Sequence, residues 1–116
     1  MSNENSDKQI YCELATAIVK RQAEIIGLDM AVKKAKDLPE FILDDEGNVM
    51  AVYGKPINSL ELLVSQYSKM SGNTAVNFCK DAIISIVTKY PDIKLPNILQ
   101  IQKATVPTME QFLESF

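Results

Sequence analysis

The sequence predicts a mainly α-helical domain, at the margin of the α+β class. Two helix–glycine–helix hairpins should form a compact helical core, with one inserted β-hairpin near residues 41–53 and a short C-terminal helix. Two observations lead to this prediction. Apolar residues recur at helical spacing over most of the chain, and one short β-prone stretch surrounds an acidic turn. A chain of 116 residues with 47% apolar residues is enough for one domain.

The first helix is expected to begin at Lys8, after a polar, flexible tail formed by residues 1–7. Ile10, Leu14 and Ile18 follow at intervals of four, so they lie on one face of a helix. A single domain is predicted to span residues 8–103.

A glycine marks the end of this helix. Gly27 stands where a C-cap glycine of positive φ belongs. Asp29 is expected to cap a second helix, about Met30 to Asp37, with its carboxylate. Pro39 should end that helix, because proline has no amide hydrogen and clashes with the preceding turn.

The stretch FILDDEGNVMAVY predicts a β-hairpin with strands Phe41–Leu43 and Val49–Tyr53, and Gly47 at positive φ in the turn. The acidic turn invites a comparison with a calcium-binding EF-hand loop, which needs glycine sixth and glutamate twelfth. Counted from Asp44, these positions hold Val49 and Lys55. An acidic hairpin turn is therefore predicted, with no metal site.

The second helical hairpin begins after Pro56, where Asn58 and Glu61 have the spacing of a capping box. The run Ser71-Gly72-Asn73 should break the chain. A long helix is then expected over residues 74–89, and its wide apolar stripe predicts the central helix of the core.

Residues 104–116 are predicted to form a C-terminal docking segment. Four of its side chains are too apolar for a free tail: Met109, Phe112, Leu113 and Phe116. Docking on the protein's own core is one prediction, since termini are ordered only when they are held down. Insertion into a groove of another chain is the other.

The two helical hairpins resemble each other, which predicts an internal repeat. Downstream of the glycines, the residues of the first copy recur 44 positions later, so that Asp29, Ala31, Val32, Ala35, Lys36 and Asp37 match Asn73, Ala75, Val76, Cys79, Lys80 and Asp81. Upstream, Ile18, Val19 and Ile25 fall opposite Leu63, Val64 and Met70. Two copies fall short of a solenoid, so we expect them to close on each other as a four-helix core.

The composition narrows the classes of function. The sequence contains no histidine, which removes the usual general base near neutral pH and the commonest ligand of transition metals. No glycine-rich phosphate loop is present either, because the four glycines are scattered singly. We therefore predict a non-enzymatic protein without a cofactor. An enzyme built on carboxylates and lysines alone is the least favoured class.

Binding of nucleic acid is an alternative. The first helical hairpin resembles a helix-turn-helix and carries cations that suit phosphate contacts: Lys20, Arg21, Lys33, Lys34 and Lys36. Its second helix lacks the Asn, Gln and Arg side chains that commonly contact base edges. The formal net charge of −3 also disfavours this alternative.

The function predicted from the sequence is thus a protein-interaction module that forms a homodimer. No apolar leader or membrane-spanning stretch is evident, and the two cysteines form no CxxC pair. A cytoplasmic protein without a membrane partner is expected.

Overall fold

The predicted fold class is confirmed by the computed structural model, which describes the backbone of residues 3–100 and the side chains of residues 7–100. Four helices and one two-stranded antiparallel hairpin occur in this part of the chain. Their order is α1 (Asn3–Ile26), α2 (Leu28–Lys36), β1 (Phe41–Leu43), β2 (Val49–Val52), α3 (Pro56–Ser71) and α4 (Asn73–Lys89), followed by a 3₁₀ turn (Asn97–Leu99).

The central helix is α1, and the expectation that α4 would be central is wrong. Helix α1 packs against α2, α3, α4 and β2. Its buried positions form a broad face: Ile10, Tyr11, Leu14, Ala15, Ile18, Val19 and Gln22. Helix α4 buries only the narrower row Ala75, Cys79, Ile83 and Val87. Apolar residues on its other side, Phe78 and Ile84, stay exposed, so the wide stripe overstated how much of α4 is covered.

Helix α1 begins at Asn3, inside the segment that the sequence analysis assigns to a tail. No glycine or proline occurs before Gly27, so no residue of the N-terminal segment interrupts helical geometry. The division of the chain into tail, domain and docking segment stays a prediction.

A single glycine separates the helices of each pair. The Gly27 amide donates to the carbonyl oxygen of Ala23, 2.9 Å away, while the Gly27 carbonyl accepts from the Ala31 amide at 3.0 Å. Its φ of 92° is positive, as predicted, and its ψ of 150° lies outside the left-handed helical region. Gly27 itself is the N-cap of α2, and no side chain caps this helix. The predicted cap by Asp29 is therefore wrong, because Asp29 already lies inside the helix.

The start of α3 also differs from the prediction. The helix begins at Pro56, with Lys55 as its N-cap and no side-chain cap, so the capping box of Asn58 and Glu61 is wrong. Proline at the first helical position has the required φ and lacks the amide that a cap would satisfy. The nearby Ser59 hydroxyl donates to the carbonyl oxygen of Tyr53 at 2.7 Å, which ties the helix to the end of β2.

The hairpin has the predicted turn and first strand, and β2 begins at Val49 as predicted but ends at Val52, one residue before Tyr53. The Asp44 carboxylate accepts from the amides of Glu46 and Asn48, both at 2.9 Å, and from the Asn48 side chain at 3.0 Å. These hydrogen bonds, above all those from Asn48, lower the pKa of Asp44. Gly47 has a φ of 90°, so the turn uses glycine where an L side chain is disfavoured. The acidic run is thus an Asx-type turn.

The paired positions of the repeat have similar exposure on both sides of the glycines. Members of four pairs are almost fully buried (Ile18 with Leu63, Val19 with Val64, Ala31 with Ala75, Ala35 with Cys79), while Ile25 and Met70 are both exposed. Both turns consist of one glycine, and the additional residue of the first copy, Leu28, is the first residue of α2. A duplication accounts for this agreement and remains a prediction.

The segment that follows α4 returns to α1. The Tyr11 hydroxyl donates to the carbonyl oxygen of Lys94 at 2.7 Å. Leu99 is fully buried, and the 3₁₀ turn that contains it packs against α3 and α4. The described chain therefore ends beside the core, at Gln100.

Candidate functional site

The outer face of the hairpin carries exposed apolar side chains. Burial alternates along β1, so Phe41 and Leu43 face the core while Ile42 is 46% exposed. Ile42 pairs with Ala51 and Leu43 pairs with Val49, which leaves Met50 as the extra residue of a β-bulge. Met50 is 60% exposed, and Tyr53, just beyond β2, is 58% exposed. We call Ile42, Met50 and Tyr53 the hairpin face.

A groove of about 730 Å³ lies between α1 and β2. Helix α1 contributes residues spaced three and four apart, which lie on one face of a helix: Lys8, Gln9, Cys12, Glu13, Thr16 and Ala17. Residues 49–53 form the opposite wall, and Ile86 of α4 completes the lining. Apolar atoms predominate in this lining, so the groove suits an apolar ligand better than a charged one.

Within residues 7–100, the edge of β2 is hydrogen-bonded to α1 at one end, while its other end has no hydrogen-bond partner outside the hairpin. The Val49 amide donates to the Thr16 hydroxyl oxygen at 2.8 Å. The Tyr53 amide donates to the carbonyl oxygen of Glu40 at 2.7 Å. Because hydrogen-bonded and non-bonded pairs alternate in an antiparallel ladder, this bond directs the amide and carbonyl of Val52 away from β1. Val52 lines the groove, which therefore presents a strand edge to an incoming chain.

The charges in the groove nearly balance, since one cation, Lys8, and one anion, Glu13, contribute to the lining. Cys12 is partly buried between them. Burial, and secondarily the charge of Glu13, raise the pKa of the Cys12 thiol. The thiol is therefore protonated at neutral pH and acts as a small apolar group in the groove. Among residues 7–100, no group of three His, Cys, Asp or Glu residues is arranged to hold a metal ion.

The five cations proposed for nucleic-acid contact are not gathered on one free surface. The Arg21 guanidinium contacts the carboxylates of Asp81 and Glu24 and lies 5.9 Å from the ring centre of Phe78. Lys36 pairs with Asp45 at 2.6 Å. Lys33 and Lys36 share a small cleft that carboxylates also line: Asp29, Asp37 and Asp45. Lys20 is exposed and Lys34 is partly buried.

The predicted contact residues of the C-terminal segment, Met109, Phe112, Leu113 and Phe116, lie outside the described residues. The groove itself was not predicted from the sequence. One signal was available, because Cys12, Thr16 and Ala17 form a patch of small residues on α1 beside its mainly apolar face. Small side chains at such a position permit another element to approach closely.

Comparison of the chain with protein-family models, with curated proteins and with solved structures finds no match. None of the helices between residues 3 and 100 combines the length and the apolar character that crossing a membrane requires. The groove and the hairpin face are thus the features from which a function can be argued.

Proposed function

We propose that this protein is a small, non-enzymatic protein-interaction module that self-associates through the hairpin face. The observation that carries the proposal is the exposure of Ile42, Met50 and Tyr53 on one short hairpin. An isolated two-stranded sheet is marginally stable in water, so it gains from a second surface that covers its outer face. Contiguous apolar patches on a soluble protein commonly mark interaction sites.

The chemistry of the described residues supports a binding role. The whole sequence has no histidine, and both cysteines are unpaired thiols. Burial raises the pKa of Cys12 and of Cys79, so neither thiol is activated as a nucleophile. Free thiols also suit a reducing compartment, and we propose that the protein is cytoplasmic.

Two isoleucines of nearly equal exposure provide the test. Ile42 of the hairpin face is 46% exposed and Ile84 of α4 is 47% exposed. Sedimentation equilibrium at micromolar concentration should give a dimer mass for the unsubstituted protein and for Ile84→Lys. Ile42→Lys should give the monomer mass, because a lysine at the centre of an apolar contact must be desolvated. A monomeric unsubstituted protein, or a dimer that Ile42→Lys leaves intact, would refute the proposal.

Nucleic-acid regulation by the first helical hairpin is the second candidate, motivated by the lysines in the last turn of α2. It has less support, because Arg21 and Lys36 already pair with carboxylates. Fluorescence anisotropy of labelled duplex DNA and single-stranded RNA at low salt tests it. Binding that weakens steeply with salt, and that Lys33→Ala with Lys34→Ala abolishes while Lys69→Ala does not, would favour this candidate.

A further inference from the structure

We propose that the groove between α1 and β2 is a docking site for residues 104–116 of the same chain. The groove overlaps the hairpin face, because Met50 and Tyr53 line it, whereas Ile42 does not. The tests below are therefore also made on Ile42→Lys, which should not self-associate through the hairpin face. Docking that persists in Ile42→Lys is then distinguishable from self-association.

The chemistry of the groove selects an apolar occupant. Its lining combines Cys12, Ala17 and Ile86 with the side chains of β2, and its two charges nearly cancel. Residues 104–116 contain the apolar side chains Met109, Phe112, Leu113 and Phe116 and only two charged residues, Glu110 and Glu114. A volume of about 730 Å³ is large enough for several such side chains.

The position at which the described chain ends favours docking within one molecule. Gln100 borders a cleft that Val87 of α4 also lines, and the preceding residue, Ile86, lines the groove. The cleft beside Gln100 and the groove thus lie against neighbouring positions of α4. Residues 101–108 can span up to roughly 27 Å when extended, which exceeds the diameter of a helix, about 10 Å. The segment therefore reaches the groove without leaving the surface of its own molecule.

Docking would also provide hydrogen-bond partners for the backbone groups at the edge of β2. The Val52 amide and carbonyl are directed away from β1. A chain lying between α1 and β2 can bond to these groups, as in recognition by strand addition. The hydrogen bond between Val49 and Thr16 links β2 to α1, and the groove extends from there past Cys12 and Val52.

Cys12 provides a native probe of this docking. Its thiol lines the groove, whereas Cys79 is fully buried in the core and reports on global unfolding. Reaction of the full chain with a thiol reagent should be slow at Cys12. Phe112→Glu combined with Leu113→Glu should accelerate it about tenfold, and Glu114→Gln should leave it unchanged. Cys79 should remain unreactive throughout.

A substitution in the groove gives a second, reciprocal test. Ala17 lines the groove without belonging to the hairpin face and is only partly buried, so Ala17→Glu places a carboxylate in the groove alone. It should accelerate chymotryptic cleavage after Phe112, because an added carboxylate disfavours an apolar occupant. Equal Cys12 reactivity in the unsubstituted chain and the double variant, with cleavage unaffected by Ala17→Glu, would overturn the proposal. Protection of Cys12 that weakens on dilution would also overturn it, since the segment would then come from a second copy.

Discussion

The hydroxyl of Thr16, in the middle of α1, accepts a hydrogen bond of 2.8 Å from the backbone amide of Val49, the first residue of β2. The bond joins residues 33 positions apart and connects the central helix to the hairpin. It also fixes one end of the groove. This side-chain hydrogen bond therefore adds to the apolar packing of Val49 and Val52 in holding the hairpin against α1.

Replacing Thr16 with valine tests this dependence. Valine keeps the shape of threonine but leaves the Val49 amide without its acceptor, which should cost about 1–3 kcal/mol of unfolding free energy. Urea denaturation measures the loss, and the Val49 amide should exchange its hydrogen faster. Thr88→Val, at an exposed position of α4, is the matched control and should stay within about 0.5 kcal/mol. Equal losses in both variants would contradict the assigned role of Thr16.

The hairpin turn should titrate at unusually low pH. Hydrogen bonds from Asn48 hold the pKa of Asp44 below its ordinary value of 3.8. A lowered folded-state pKa contributes stability above pH 3.8, which is lost as the pH falls through the folded pKa. Titration followed by NMR should place Asp44 below that value. Asn48→Ala should raise it, while Asn58→Ala should not change it. An unchanged Asp44 pKa in Asn48→Ala would contradict the cause given.

The sequence predicts well those features that depend on neighbouring residues. Both strands of the hairpin, the positive φ of Gly47 and the helix break at Gly72 agree with the structure. Each follows from local periodicity or turn chemistry. The predicted side-chain caps of α2 and α3 were wrong for a local reason too. Gly27 and Pro56 can begin helices without a side-chain cap.

The features that were not predicted from the sequence depend on packing between residues far apart in the chain. The groove requires α1, β2 and Ile86 of α4 to meet, and no local pattern relates Cys12 to Ile86, 74 positions away in the chain. No local pattern predicts the contacts of Arg21 either, and its charge alone suggested contact with phosphate. Its pairing with Asp81 depends on how α1 and α4 cross. Sequence periodicity identifies a buried face but does not name the element that covers it.

Alanine substitutions at Gly27 and Gly47 should differ because the added methyl groups have different surroundings. Gly47 and Gly27 have almost the same φ, 90° and 92°. A Cβ at Gly47 would lie 3.2 Å from the Val19 side chain, whereas at Gly27 nothing lies within 4 Å. Each alanine variant should lose about 1–3 kcal/mol of unfolding free energy from its backbone conformation, which favours glycine. Gly47→Ala should lose a further amount because Val19 must move, and Val19→Ala should relieve that part of the loss. A Gly47→Ala loss that is unchanged in the Val19→Ala background would mean that the core accommodates the added methyl group without cost.

Alkaline destabilisation should be traceable to Cys79. This side chain is fully buried between α1 and α4, and the Gln22 amide donates to its sulfur at 3.4 Å. Burial raises the pKa of Cys79 from 9.0 to about 11. Its raised pKa contributes stability that is present below pH 9.0 and is lost as the pH rises through about 11.

The measurement compares the unsubstituted protein with Cys79→Ala, by urea denaturation under reducing conditions from pH 6 to 11. The difference in unfolding free energy should stay constant from pH 6 to 8, where both states keep the thiol protonated. The difference should then shrink by roughly 2 kcal/mol toward pH 11. In the unsubstituted protein the unfolded state loses the Cys79 proton at lower pH than the folded state does, which favours unfolding, and Cys79→Ala has no such proton. Tyr11 and Tyr67, whose pKa values are also raised, occur in both proteins, so their direct contributions largely cancel. A difference that stays constant up to pH 11 would show that the thiol ionises as readily in the folded core as in the unfolded chain.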